Sequence, residues 1–142
     1  MSPFHAEMTA EFWNQRSEGH FPALIGLQVQ SIGPGEIRGR LDVRRELLAP
    51  NGFLHAATVV GLADTLCGYG CLSNAPDGSQ GFTTIETKSN HLGTAREGAI
   101  ACTARLTHGG RSTQVWDAEV VDEGSGRPIA LFRCTQMILY PR

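Results

Sequence analysis

Between Glu46 and Asp77 the chain carries one charged side chain, Asp64, and it stands in the middle of the most apolar stretch of the sequence. That stretch, Phe53–Leu72, has about the length of a membrane-spanning helix. It is interrupted by Asp64 and by Thr58, Gly61, Thr65 and Gly68, and it lacks a flanking aromatic belt or basic cluster. Val59, Leu62, Ala63 and Leu66 keep helical spacing, and the run is too long for an ordinary strand. Pro50-Asn51-Gly52 stops the chain before it, and Ala75-Pro76-Asp77-Gly78 turns the chain after it. The spacing predicts one long helix, apolar all round and therefore buried all round in a soluble core.

The rest of the chain must cover that helix. Ala6–Arg16 places Phe12 and Trp13 among polar residues and predicts a short amphipathic helix, broken by Pro22. Leu27–Gln30 and Ile37–Val43 alternate apolar and polar residues around Gly33-Pro34-Gly35, a two-stranded hairpin. After the long helix come four strand-like segments, Phe82–Asn90, Ala99–His108, Thr113–Asp122 and Ile129–Tyr140, separated by glycine-rich turns. Short hairpin loops predict an antiparallel sheet, and a single buried helix needs a sheet to lie against. The expected class is α+β: a curved antiparallel β-sheet wrapped around one long central helix, the hotdog architecture.

With 142 residues the chain is expected to be one domain, 1–142, with residues 1–24 as an N-terminal helical arm. The net charge of −2 gives no footprint for nucleic acid or an anionic membrane. Charged residues make up only 18%, lean enough to suggest that partner subunits cover part of the surface. The N-terminus has no basic segment followed by an apolar run, so the cytoplasm is the expected compartment. Cys67, Cys71, Cys102 and Cys134 form no C-x-x-C and are expected as buried free thiols.

A lone carboxylate in an apolar helix is expensive unless it bonds a nearby group, reaches solvent at a kink, or serves as a poised base or nucleophile. Asp64 is therefore the first candidate for chemistry. His55 stands at the expected helix start, where unpaired N–H groups and a partial positive charge suit a developing oxyanion. Capping is the commoner use of such a histidine. Ala56 and Ala57 after it are small enough to let a substrate carbonyl near the backbone. Nine residues separate His55 from Asp64, about 2.5 turns, so the two face opposite ways ~13.5 Å apart along one helix. If both act on one carbon, they come from different subunits. His108-Gly109-Gly110-Arg111-Ser112-Thr113 and the Arg96 segment could hold phosphate groups, or could be solvated hairpin loops. No P-loop motif occurs.

With these residues in view, the chain resembles the phenylacetate-pathway (PaaI-like) branch of the hotdog thioesterases, from about Gly26 to Tyr140. The resemblance centres on Asn51-Gly52-Phe53-Leu54-His55-Ala56-Ala57 followed by Leu62-Ala63-Asp64-Thr65, and continues through Thr83–Leu92, Ala95–Gly98, His108–Thr113 and Gly126–Ala130. His-Ala-Ala stands where that branch has His-Gly-Gly, and His91-Leu92-Gly93-Thr94 lacks its usual Arg-Pro. The resemblance implies a cofactor-free, metal-free acyl-CoA thioesterase, aromatic acyl groups included, working as a homodimer or dimer of dimers. It implies Asp64 as base or nucleophile, with Ala56 N–H and Asn51 or His55 of the opposite subunit at the carbonyl oxygen. Thr84 would stand near the acid. His91 and Arg96, with His108, Gly110, Arg111, Ser112 and Thr113, would hold the CoA nucleotide. A hotdog dehydratase or hydratase acting on acyl thioesters, and a non-catalytic acyl-CoA-binding module, are the alternatives.

Overall fold

The structure is a computed structural model that describes residues 3–142; Met1 and Ser2, where the expected arm begins, lie outside the described residues. Two short helices open the chain, α1 (Ala10–Ser17) and α2 (Phe21–Leu24). The hairpin β1 (Gln28–Gly33) and β2 (Glu36–Asp42) follows, then the long helix α3 (Ala56–Ser73). Four strands complete the chain: β3 (Gly81–His91), β4 (Ala99–Gly109), β5 (Thr113–Asp122) and β6 (Pro128–Leu139). All six strands join one antiparallel sheet in the order β1-β2-β4-β5-β6-β3.

The sheet curls around α3, which touches β2, β3, β4, β5 and β6. Alternation along the strands sends one set of side chains into the concave face: Ile37 and Leu41 from β2, Ile100 from β4, Trp116 and Val120 from β5, Ala130 and Cys134 from β6, all essentially out of water. Leu62, Leu66, Cys67 and Cys71 meet them from the helix. All four cysteines are free and buried. By length and composition α3 could cross a membrane, but 56% of it is buried inside the domain. It is the core helix.

Asn74 closes α3 and ties its end to two other elements. Its amide donates to Gly70 O (2.9 Å) and its Oδ1 accepts from Gly35 N–H (2.9 Å), while its carbonyl accepts from Gln114 Nε2 (2.9 Å). Gln114 in turn accepts from Trp116 Nε1 at 2.8 Å, so the indole is pinned at both its ring and its N–H. A Cβ at Gly70 would lie 2.6 Å from Trp116 Cη2. Gly70→Ala is therefore expected to cost ~1–3 kcal/mol of overpacking strain and lower the melting temperature by several degrees in a thermal scan. An unchanged melting temperature would mean that the indole is free to move.

Two expectations change. The first helix starts at Ala10 rather than Ala6, because Thr9 caps it by accepting from Phe12 N–H (3.1 Å), and His5 N–H is already bonded to Ser73 O (2.8 Å). Nor is α3 buried all round: Val60, Gly61, Asp64 and Thr65 form an arc that is only half-buried. The sheet wraps the other faces, and the curl stops at β3. That edge strand is 11 residues long and exposed from Thr83 through Lys88.

Candidate active site

Asp64 sits on the half-buried arc of α3. Its Oδ1 is shielded from solvent and finds no hydrogen-bond partner among the described residues. Burial raises its carboxyl pKa above the ordinary aspartate value. The neighbouring thiols are not competing nucleophiles. Cys67 is pushed well up by its hydrogen bond with Cys134 and by burial, and burial pushes Cys71 up to about 12. Among the described residues no group of three or more His, Cys, Asp or Glu is placed to hold a metal ion.

His55 is the N-cap of α3, and its Nδ1 accepts from Ala57 N–H at 2.9 Å. Capping and function are compatible here. A ring whose Nδ1 accepts carries its proton on Nε2, so the cap leaves the exposed side of the imidazole as a donor. His55 O accepts from Thr58 N–H (3.0 Å), while Ala56 N–H has no acceptor among the described residues. The helix start thus presents two unspent donors, Ala56 N–H and His55 Nε2–H, at the positive end of the helix dipole. Its position is fixed by Thr58 Oγ1 donating to Leu47 O (2.9 Å), His55 N–H donating to the same oxygen (3.1 Å), and Leu54 N–H donating to Thr94 Oγ1 (3.2 Å). Asn51 Oδ1 accepts from Phe53 N–H (3.1 Å), so its side chain is engaged in the turn before the helix.

Thr84 pairs with Gln136 across β3 and β6 and donates its hydroxyl proton to Gln136 Oε1 at 2.6 Å. Both face the side of the sheet that holds α3, since Gln136 is fully buried there. Arg96 lies beside the helix start, its guanidinium 4.1 Å from the centroid of the Phe53 ring. His91 is exposed at the end of β3. Arg111 stacks on Tyr140 at 5.1 Å, in a tight turn closed by Gly110 N–H to Thr113 O (2.9 Å). A Cβ at Gly110 would lie 2.7 Å from His108 Nε2, and Ser112 O accepts from Ile138 N–H (2.9 Å).

Within a single chain Arg96 and Arg111 stand at opposite ends of β4. The first precedes β4 and the second follows it, so the strand's full length, roughly 35 Å, separates them. Arg127, absent from the expected set, shares the Arg96 end. Two adjoining grooves of about 380 and 360 Å³ run along Leu92–Glu97 and Arg127–Ile129, and Thr94 and Arg127 line both.

The sequence profile of the thioesterase superfamily matches residues 51–129, from the turn before α3 to the start of β6. The chain belongs to the thioesterase superfamily. A 1,4-dihydroxy-2-naphthoyl-CoA hydrolase of Escherichia coli is 30% identical over 136 residues, covering 94% of this chain and 96% of that protein. A mutant thioesterase from Pseudomonas aeruginosa superposes with a TM-score of 0.86 at 25% identity, over 92% of this chain and 93% of the other. The PaaI protein from the phenylacetic acid degradation operon of Escherichia coli shares the fold, with a TM-score of 0.80 at 22% identity over 90% of each chain. This thioesterase therefore has the hotdog architecture expected from its motifs, and it is an enzyme of thioester hydrolysis.

Proposed function

We propose that this thioesterase hydrolyses an acyl-CoA with an aromatic acyl group, using Asp64 of one subunit and the α3 N-terminus of a second. The observation that carries the reading is the buried Asp64 Oδ1 without a hydrogen-bond partner among the described residues, on the one arc of α3 that the sheet leaves uncovered. In the reaction the Asp64 carboxylate takes a proton from water as the water oxygen bonds the thioester carbon, or attacks that carbon itself. The carbonyl oxygen, now negative, is held by Ala56 N–H and His55 Nε2–H. Collapse breaks the C–S bond. In the first route the departing CoA sulfur takes up the proton that Asp64 removed from water. In the second route CoA leaves as the thiolate, and the water that then opens the acyl-aspartate anhydride supplies its proton, so both routes give free acid and CoA. The naphthoyl substrate named for the Escherichia coli relative supports an aromatic acyl group.

A second copy is required by distance. The helix start and Asp64 of one chain stand ~13.5 Å apart on opposite faces. A two-fold axis passing near Val60, on the same half-buried arc as Asp64, sets the helix start of one copy level with Asp64 of the other. The long exposed edge β3 supports such pairing, since an uncovered edge of 11 residues is a template for another strand. Antiparallel pairing of β3 with itself also brings the Arg111 end of one copy to the Arg96 end of the other. The buried free thiols suit the reducing cytoplasm, where we place the protein.

Release of free thiol from a panel of aromatic and aliphatic acyl-CoA esters, read with a thiol-reactive dye, tests the reading. Hydrolysis favouring aromatic esters is expected. Hydration of an enoyl-CoA without thiol release would make it a hydratase, and tight binding without turnover would make it a binding module. Arg96→Ala and Arg127→Ala are each expected to raise KM for a CoA ester roughly tenfold or more with kcat largely intact, since phosphate contacts hold ground and transition states alike. The effect should vanish on a pantetheine thioester; equal losses on both substrates would remove these arginines from the nucleotide site.

A further inference from the structure

The arc of α3 that carries Asp64 is notched by two glycines. Gly61 precedes the acid by three residues and Gly68 follows it by four, so all three share one side of the helix. An aromatic ring occupies each notch. Phe21 of α2 reaches over Gly61, where a Cβ would lie 3.0 Å from its Cζ and 3.3 Å from Ile25 Cδ1. Phe82 of β3 reaches over Gly68, where a Cβ would again lie 3.0 Å from its Cζ. Seven residues of helix separate the notches, ~10.5 Å of rise, with Asp64 between them. Phe21 remains 53% exposed and Leu24, on the same short helix, 69%. Core packing therefore accounts for little of their apolar surface, and Phe21 stands over Gly61, one helical turn from the half-buried acid.

We infer that Phe21 is a specificity wall: the flat acyl group of the thioester lies between the Phe21 and Phe82 rings, over Asp64. The two rings select the occupant. A flat ring lying over Asp64 between them meets aromatic surface at both ends, and aromatic pairs attract in offset-stacked and edge-to-face arrangements. A straight alkyl chain gains the buried area there without the ring–ring contact. The glycines are part of the device, because a Cβ at 61 or 68 would press on the end of the ring at 3.0 Å and shift it. The inference rests on the proposed acyl-CoA reading and adds the residue that chooses the acyl group.

Two CoA thioethers that cannot be hydrolysed, S-benzyl-CoA and S-hexyl-CoA, test the wall by calorimetric binding to the full-length protein. Wild type should prefer the benzyl ligand. Phe21→Ala and Phe21→Leu should each lower the benzyl-to-hexyl affinity ratio at least tenfold, and Phe21→Tyr should keep it. The leucine variant retains apolar bulk at a half-exposed position, so it folds even if the alanine variant does not. Gly61→Ala should lower the ratio as well, by displacing the ring. A ratio unchanged in the leucine variant, or a wild type that binds neither ligand or favours hexyl, overturns the wall. Preferential benzyl binding by a wild type that hydrolyses no CoA ester would sink the hydrolase reading and leave the wall standing.

Discussion

Asp64→Asn is expected to lower kcat by ~10²-fold or more while the protein keeps its fold and melts at a higher temperature at neutral pH. The amide has the shape of the carboxylate but can neither take a proton from water nor attack a thioester. The stability half of the expectation follows from burial, which raises the folded-state pKa of Asp64 above its unfolded value. Stability from such a group is fully present below the unfolded pKa and is lost as pH rises through the folded pKa. At neutral pH the wild type holds a charge that its surroundings disfavour, and the amide does not. The excess melting temperature of the variant should therefore shrink towards zero as the pH falls to the ordinary aspartate range. The same shift places the acid limb of kcat/KM above the usual carboxylate range, since the base must be ionised to act. An Asn variant with near-normal turnover would return Asp64 to a structural role.

Much of this was legible in the sequence because its signals are local. A lone charge in an apolar run marks both the core helix and the acid. Thr113–Asp122 alternates between turn residues, and the strand observed there has those ends. Other features depend on partners far along the chain. Richness in Thr and Ile marks β3 as a strand but does not say that it crosses to pair with β6 instead of its successor β4. An apolar helix reads the same whether the sheet covers every face or leaves one arc open, so the half-burial of Asp64 came only with the fold. Phe21 and Gly61 are 40 residues apart, and a single arginine in a hairpin turn, Arg127, carries no motif. The separation of Arg96 from Arg111 was readable, because the length of the strand between them already sets them far apart.

The proposed site is shared by two copies, with Asp64 from one and the helix start from the other. Pairing two inactive variants tests this. One is Asp64→Asn. The other is His55→Ser, which keeps an oxygen to cap α3 but loses the reach of the imidazole Nε2–H. Unfolded together in equal amounts and refolded, they should form hybrids as half of all dimers. Each hybrid holds one site with both lesions and one with neither. Thioesterase activity should then return to roughly a quarter of wild type, far above the mean of the two parents. No gain over that mean, in a sample shown by mass spectrometry to contain hybrids, would place both residues in one subunit's site or remove His55 from it.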